Sequence, residues 1–127
     1  MGRYLIDTNV IANFTSEKYP EQAMIFLSDV IDEVPNISII TKIEALSWRS
    51  NIIQEEASVK AFVSSSIIFA LSDSVVEKCI DIRRKCKIKT PDAIIAATAI
   101  VHDFILLTSD LDFRHIPNLK TLDPFDL

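Results

Sequence analysis

Apolar and polar positions follow two periods along this chain, and each change of period marks an element. Tyr4-Leu5-Ile6 is a short apolar run that meets Asp7, Thr8 and Asn9 with no glycine between, which predicts a buried strand ending on a carboxylate. Val10 to Phe14 continues as a short helix. Pro20 stands where a helical first turn tolerates it, and from Glu21 to Ile31 the positions Ala23, Met24, Phe26, Leu27, Val30 and Ile31 recur at helical spacing. After the Pro35-Asn36 break, the β-branched run Ile37-Ser38-Ile39-Ile40 predicts a second strand. Two strands joined by a crossover helix make a βαβ unit, hence a parallel pair.

Thr41-Lys42-Ile43-Glu44 has the spacing of a capping box and opens a helix that runs through Ala45, Leu46 and Trp48. Helical patterning returns over Gln54 to Ser64, with Ala57, Ala61 and Phe62 on one side, and Ile67 to Ala70 reads as a third strand or a buried extended segment. Ser72-Asp73 caps a helix reaching Lys85, with Val75, Val76, Cys79, Ile80 and Ile82 as its buried stripe. Thr90-Pro91-Asp92 supplies a cap, a first-position proline and a first-turn acid for the next helix. That helix is apolar nearly all round from Ala93 to Val101, so it should be the most buried of the domain. Phe104 to Thr108 is a fourth strand, and Asn118 to Leu122 a weak fifth. The alternation predicts an α/β fold with a central parallel sheet of four to five strands.

Composition narrows this picture. The 127 residues suit one domain spanning 1–127, and 49% hydrophobic with 24% charged residues is a globular balance. Thr98, His102 and Asp103 interrupt the longest apolar stretch, which falls short of the roughly 20 residues that a membrane span needs. The amino terminus lacks the three regions of a signal peptide, and Met1-Gly2 fails as a myristoylation signal because Ile6 replaces the Ser or Thr, so the expected location is cytoplasmic, with no membrane partner. Cys79 and Cys86 give neither zinc spacing nor a disulfide framework, and read as a packed pair of thiols. With Gly2 as the only glycine, every glycine-dependent phosphate cradle is excluded.

Four acids then share one property. Asp7 and Asp110 follow strands, Glu44 opens the helix after the second strand, and Asp92 opens the helix before the fourth. Each has a local explanation, since Asp7 can cap its helix and Glu44 can close its capping box. In an open parallel sheet, however, all four arrive at the carboxyl edge, where ligands bind. Carboxylates crowded there repel one another unless a cation lies among them, and an all-oxygen set points to magnesium or manganese. Arg83, Arg84, Lys85, Lys87 and Lys89 exceed what a helix end needs to complement its dipole, which makes a phosphate-facing edge an alternative use for them. His102 and His115 are not required as catalytic bases.

The ordered set Leu5-Ile6-Asp7-Thr8-Asn9, Glu44, Pro91-Asp92-Ala93-Ile94-Ile95-Ala96-Ala97 and Leu107-Thr108-Ser109-Asp110 with Asp112-Phe113 resembles the PIN-domain ribonucleases, and among them the toxin subunits of VapBC toxin-antitoxin pairs. The resemblance implies a three-layer α/β/α, flavodoxin-like domain that cuts single-stranded or loop regions of RNA with magnesium. It makes Asp7, Glu44, Asp92 and Asp110 the catalytic metal ligands, with Asp112 able to share or replace Asp110. Asn9 and Thr108 become supporting residues. It also implies self-pairing and silencing by a cognate antitoxin laid across the site. Omitting the four site acids takes the net charge from −5 to −1, and one divalent ion takes it to +1, so Lys42, Arg49, Arg83, Arg84 and Lys89 become candidate RNA contacts. Competing readings are a catalytically silent PIN-like RNA- or protein-binding module and a receiver-type phosphotransfer domain. The latter lacks the expected Lys after a late strand.

Overall fold

In a computed structural model describing residues 3–127, five very short strands form the frame: β1 Tyr4–Ile6, β2 Asn36–Ser38, β3 Ile67–Phe69, β4 Ile105–Leu107 and β5 Thr121–Leu122. Met1-Gly2, the segment tested for a lipidation signal, lie outside the described residues. Between the strands run α1 Thr8–Thr15, α2 Glu21–Asp32, α3 Ile39–Ser47, α4 Ile53–Ser64, α5 Asp73–Lys85 and α6 Thr90–Val101. Two 3-10 turns, Leu111–Phe113 and Pro124–Asp126, flank β5.

All strand pairs are parallel, in the order β3-β2-β1-β4-β5. The chain therefore builds outward on one side of β1, then returns to its other side with β4. Beside β1 and β4 the connections depart in opposite directions, which opens a crevice at the carboxyl edge.

Alternation along the strands divides the core into two layers. Leu5 and Leu106 pack with Val75, Cys79 and Ile82 of α5 and with Ala93, Ile95 and Ala96 of α6. Ile6, Ile37 and Leu107 pack instead with Val10 and Ile11 of α1, Leu27 of α2, and Val59 and Phe62 of α4. This is the three-layer α/β/α arrangement that the resemblance implies, built on the parallel sheet that the sequence pattern predicts. The residues Ala93 to Ala99 of α6 are all buried, as its all-round apolar pattern requires. Among the described residues no helix is long and apolar enough to cross a membrane.

Several local expectations are corrected. Ile39 and Ile40 belong to α3, not β2, because Ser38 ends the strand and its Oγ accepts the Thr41 N–H at 3.1 Å as the helix cap. The Thr41–Glu44 capping box therefore does not form, and Glu44 lies in the second turn. In α4 the buried residues are Val59, Phe62 and Val63, while Ala57 and Ala61 are exposed. Ile80 is exposed on α5, whereas Val75, Cys79 and Ile82 are buried. Thr90 is the first helical residue of α6, not its cap, and Lys89 precedes it without a side-chain capping bond. Cys79 is buried and Cys86 half-buried, and both are free thiols.

Candidate active site at the carboxyl edge of the sheet

Asp7 leaves β1 into the crevice and is 5% exposed. Its backbone is extended, and Oδ1 accepts the Thr8 N–H at 2.8 Å, so it does cap α1. Its other oxygen is held from two directions: Oδ2 accepts the Thr108 hydroxyl at 2.7 Å and Asn9 Nδ2 at 2.8 Å. Burial raises the carboxyl from 3.8 to about 6, against the lowering effect of the Thr108 and Thr8 hydrogen bonds, and the charges of Glu44 and Asp92 raise it further. A cap would not need this depth or these neighbours.

Thr108 and Asn9 both donate to Asp7. Thr108 Oγ1 gives its proton to Asp7 and accepts from Asn9 Nδ2 at 3.2 Å and from the Asp110 N–H at 3.1 Å. The hydroxyl thus ties the exits of β1 and β4 together. Asn9 Oδ1 accepts the Ser109 N–H at 3.1 Å, which fixes the orientation of its amide.

The other acids are more open. Glu44 reaches across from α3, where its Oε1 accepts the Thr8 hydroxyl at 2.7 Å. Thr8 is a bridging residue that the sequence pattern marked only as part of the first loop. Asp92, in the first turn of α6, is half-buried, and its carboxyl is raised by burial, then by Asp110 and Glu44, with Lys89 lowering it and Asp112 adding to the rise. Asp110 uses Oδ1 to accept the Asp112 N–H at 2.9 Å, capping the 3-10 turn, and Asp112 itself is exposed. Of this last pair, Asp110 acts more strongly on Asp92.

The donor chemistry suits a hard divalent cation: the site acids are all oxygen ligands, and their negative charges disfavour one another's ionisation. Among the described residues, however, no three acidic, histidine or cysteine side chains are gathered closely enough to hold an ion. Asp7 is fixed by its donors, while Glu44 and Asp112 are exposed at the rim.

Beside Asp92 and Asp112 lies a groove of about 470 Å³ lined also by Arg83, Lys87, Lys89, Ile88 and His115. Two of the predicted RNA contacts, Arg83 and Lys89, thus adjoin the acids. Arg84, Lys42 and Arg49 do not line this groove. Lys87 and His115 do, and no local pattern singles out His115, since it lies in an irregular segment whose position depends on the docking of Phe113 and Ile116 into the core.

No curated protein matches the chain significantly. Among solved structures it is similar to a chain of the DNA-bound VapBC complex from Salmonella typhimurium, with a TM-score of 0.81, 21% identity, and coverage of 98% of this chain and 99% of that one. A chain of a toxin-antitoxin complex from Klebsiella pneumoniae is 29% identical, with a TM-score of 0.72 and the same coverage of 98% and 99%. A third similar chain comes from FitAcB of Neisseria gonorrhoeae, with a TM-score of 0.75, 23% identity, and again 98% and 99% coverage. The family model for the PIN domain matches residues 4–119, from the first residue of β1 to just before β5, and the chain therefore belongs to the PIN domain family.

Proposed function

We propose that this protein is a magnesium- or manganese-dependent endoribonuclease, and the VapC-type toxin of a toxin-antitoxin pair. The observation that carries the reading is the set of acids at the β1–β4 crevice, where the charges of Glu44 and Asp92 act on Asp7, and those of Asp110, Glu44 and Asp112 act on Asp92. Lys89 is the cation that eases Asp92. Asp7, Glu44, Asp92 and Asp110 would hold the ion, with Asp112 within reach of the same space. When bound, the ion supplies Lewis acidity, lowering the pKa of an attacking water and offsetting charge at phosphorus.

The chain's own residues do the rest. Thr108, Asn9 and Thr8 donate to Asp7 and Glu44 and so keep these carboxylates oriented. Arg83, Lys87, Lys89 and His115 offer a path for the phosphates of a single-stranded or structured RNA up to the acids. Similarity to chains from toxin-antitoxin complexes supports an antitoxin partner. Phe14, Met24, Ile31 and Phe62, with Glu17 and Ser58 beside them, line a groove of about 460 Å³ that an amphipathic antitoxin segment would fit. Exposed Ile43, Leu46, Trp48, Ile52 and Ile53 supply apolar surface for pairing with a second copy. The cytoplasm, where RNA is translated, is the location that this activity requires.

Purified protein should cleave transfer or ribosomal RNA in magnesium and stop on chelation, and Asp7→Asn should remove cleavage while the domain stays folded. Equal cleavage by Asp7→Asn would sink the assignment. RNA binding without cleavage in any divalent metal would instead make the chain a silent binding module. Lys87→Ala and His115→Ala should raise KM several-fold with kcat preserved, and loss of the Lys87 charge should reduce the salt slope for single-stranded RNA by about 0.7.

A further inference from the structure

A set of polar side chains behind the site is not accounted for by the metal-nuclease reading. Ser109 Oγ donates to Asp123 Oδ1 at 2.8 Å and lies 3.0 Å from the Tyr19 hydroxyl. Because the single Ser109 proton goes to the carboxylate, Tyr19 must be the donor to Ser109. Tyr19 in turn accepts from Asn13 Nδ2 at 3.4 Å, so the proton direction is continuous from Asn13 to Asp123. Asp123 is itself fixed: Oδ1 also accepts the Phe125 N–H at 2.9 Å, and Oδ2 lies 3.8 Å from Arg114 Nη2. The Phe125 ring packs on Tyr19 with centroids 4.5 Å apart. Tyr19 is buried, and Asp123 and Ser109 are half-buried.

The same Ser109 is the residue whose backbone N–H orients Asn9, and Asn9 is a donor to Asp7. We propose that Tyr19, Ser109 and Asp123 are positioning residues for the carboxylate site, linking the final turn of the chain through Ser109 and Asn9 to Asp7. Ser109 sits between Thr108 and Asp110, so holding its side chain from behind sets the path of the β4 exit. That path places the Thr108 hydroxyl, the Asn9 amide and the Asp110 cap together. The importance of this relay for activity rests on the metal-nuclease reading, but its existence does not.

Two measurements separate these. In the metal-free protein, Asn9 Nδ2 donates to both Asp7 and Thr108, and nuclear magnetic resonance should show its carboxamide protons exchanging slowly. Ser109→Ala and Asp123→Ala should speed that exchange at least about tenfold. Tyr19→Phe keeps the ring on Phe125 and should have a smaller effect in the same direction. Asp123→Asn retains an acceptor for Ser109 and Phe125 and should restore slow exchange. Manganese affinity, measured by electron paramagnetic resonance, should fall about tenfold in Ser109→Ala and Asp123→Ala and recover in Asp123→Asn. If Ser109→Ala and Asp123→Ala lower the melting temperature but leave Asn9 exchange and manganese affinity unchanged, the relay is only a clamp on the tail and the proposal is wrong. If wild-type protein binds no manganese, the nuclease reading fails, and Asn9 exchange alone still decides the relay.

Discussion

Asp7 and Asp92 both hold their protons above the ordinary aspartate range, yet they are built in opposite ways. Asp7 is sealed at the end of β1, with its two oxygens occupied by a backbone N–H, a hydroxyl and an amide. Asp92 is half-buried on the first turn of α6, beside Asp110, Glu44, Lys89 and Asp112. Burial is the leading cause in both, but hydrogen bonds oppose it at Asp7 and a lysine opposes it at Asp92. One side of the crevice is thus set by the fold before any ligand arrives. The other side carries carboxylates that disfavour one another's ionisation and are more open to solvent.

Removing the fixed side should cost most. Asp7→Asn should lower cleavage by at least about a hundredfold in a magnesium assay, because the anchored oxygen donor is lost. Next comes Thr108→Val, which strips Asp7 of its hydroxyl donor and the Asp110 N–H of its acceptor. Activity or metal affinity should drop about 10- to 100-fold, and chemical denaturation should show a loss of about 1–3 kcal/mol. Asp112→Asn, on the open rim, should cost only a few-fold in rate, and less than Asp110→Asn. An Asp112→Asn loss equal to that of Asp7→Asn would erase the distinction between the two sides.

Acidity offers a milder probe of the same contrast. The folded value of Asp7, about 6, lies above its ordinary 3.8, so its protonated form favours the fold. That stabilisation is full below about pH 4 and is lost as pH rises through 6. Metal-free protein should therefore be about 1.4 kcal/mol less stable at pH 7.5 than at pH 5 from this group. Saturating magnesium should recover stability at the higher pH, by about 2.7 kcal/mol at a hundred times Kd. The Asp7 contribution to this pH slope should vanish in Asp7→Asn.

The strands were legible because Leu5-Ile6 and Leu106-Leu107 are apolar runs ended by polar residues, and α6 because its apolar positions leave no polar face. Helix ends were less so. With Gly2 the only glycine, left-handed positions fall on Glu17, Val34, Asp103 and Asn118, and the three of these nearest helix ends, Glu17, Val34 and Asp103, are neither the Gly nor the Asn that marks a helix stop. For Glu44 the capping box was the competing local explanation, and Ser38 takes that capping role instead; the place expected from its position after β2 comes with a bond to Thr8 that no local pattern signals. Tyr19, Ser109 and Asp123 could not be read at all as a group. Each is an isolated polar residue, and only the docking of the β5 tail beside β4 brings them together.

The bond from Thr108 to Asp7 spans almost the whole chain, across 101 positions. Until residue 108 has emerged from the ribosome, Asp7 lacks its hydroxyl donor, and the Asp110 side of the crevice does not yet exist. A carboxylate pocket built this way cannot assemble on a chain that stops short of β4.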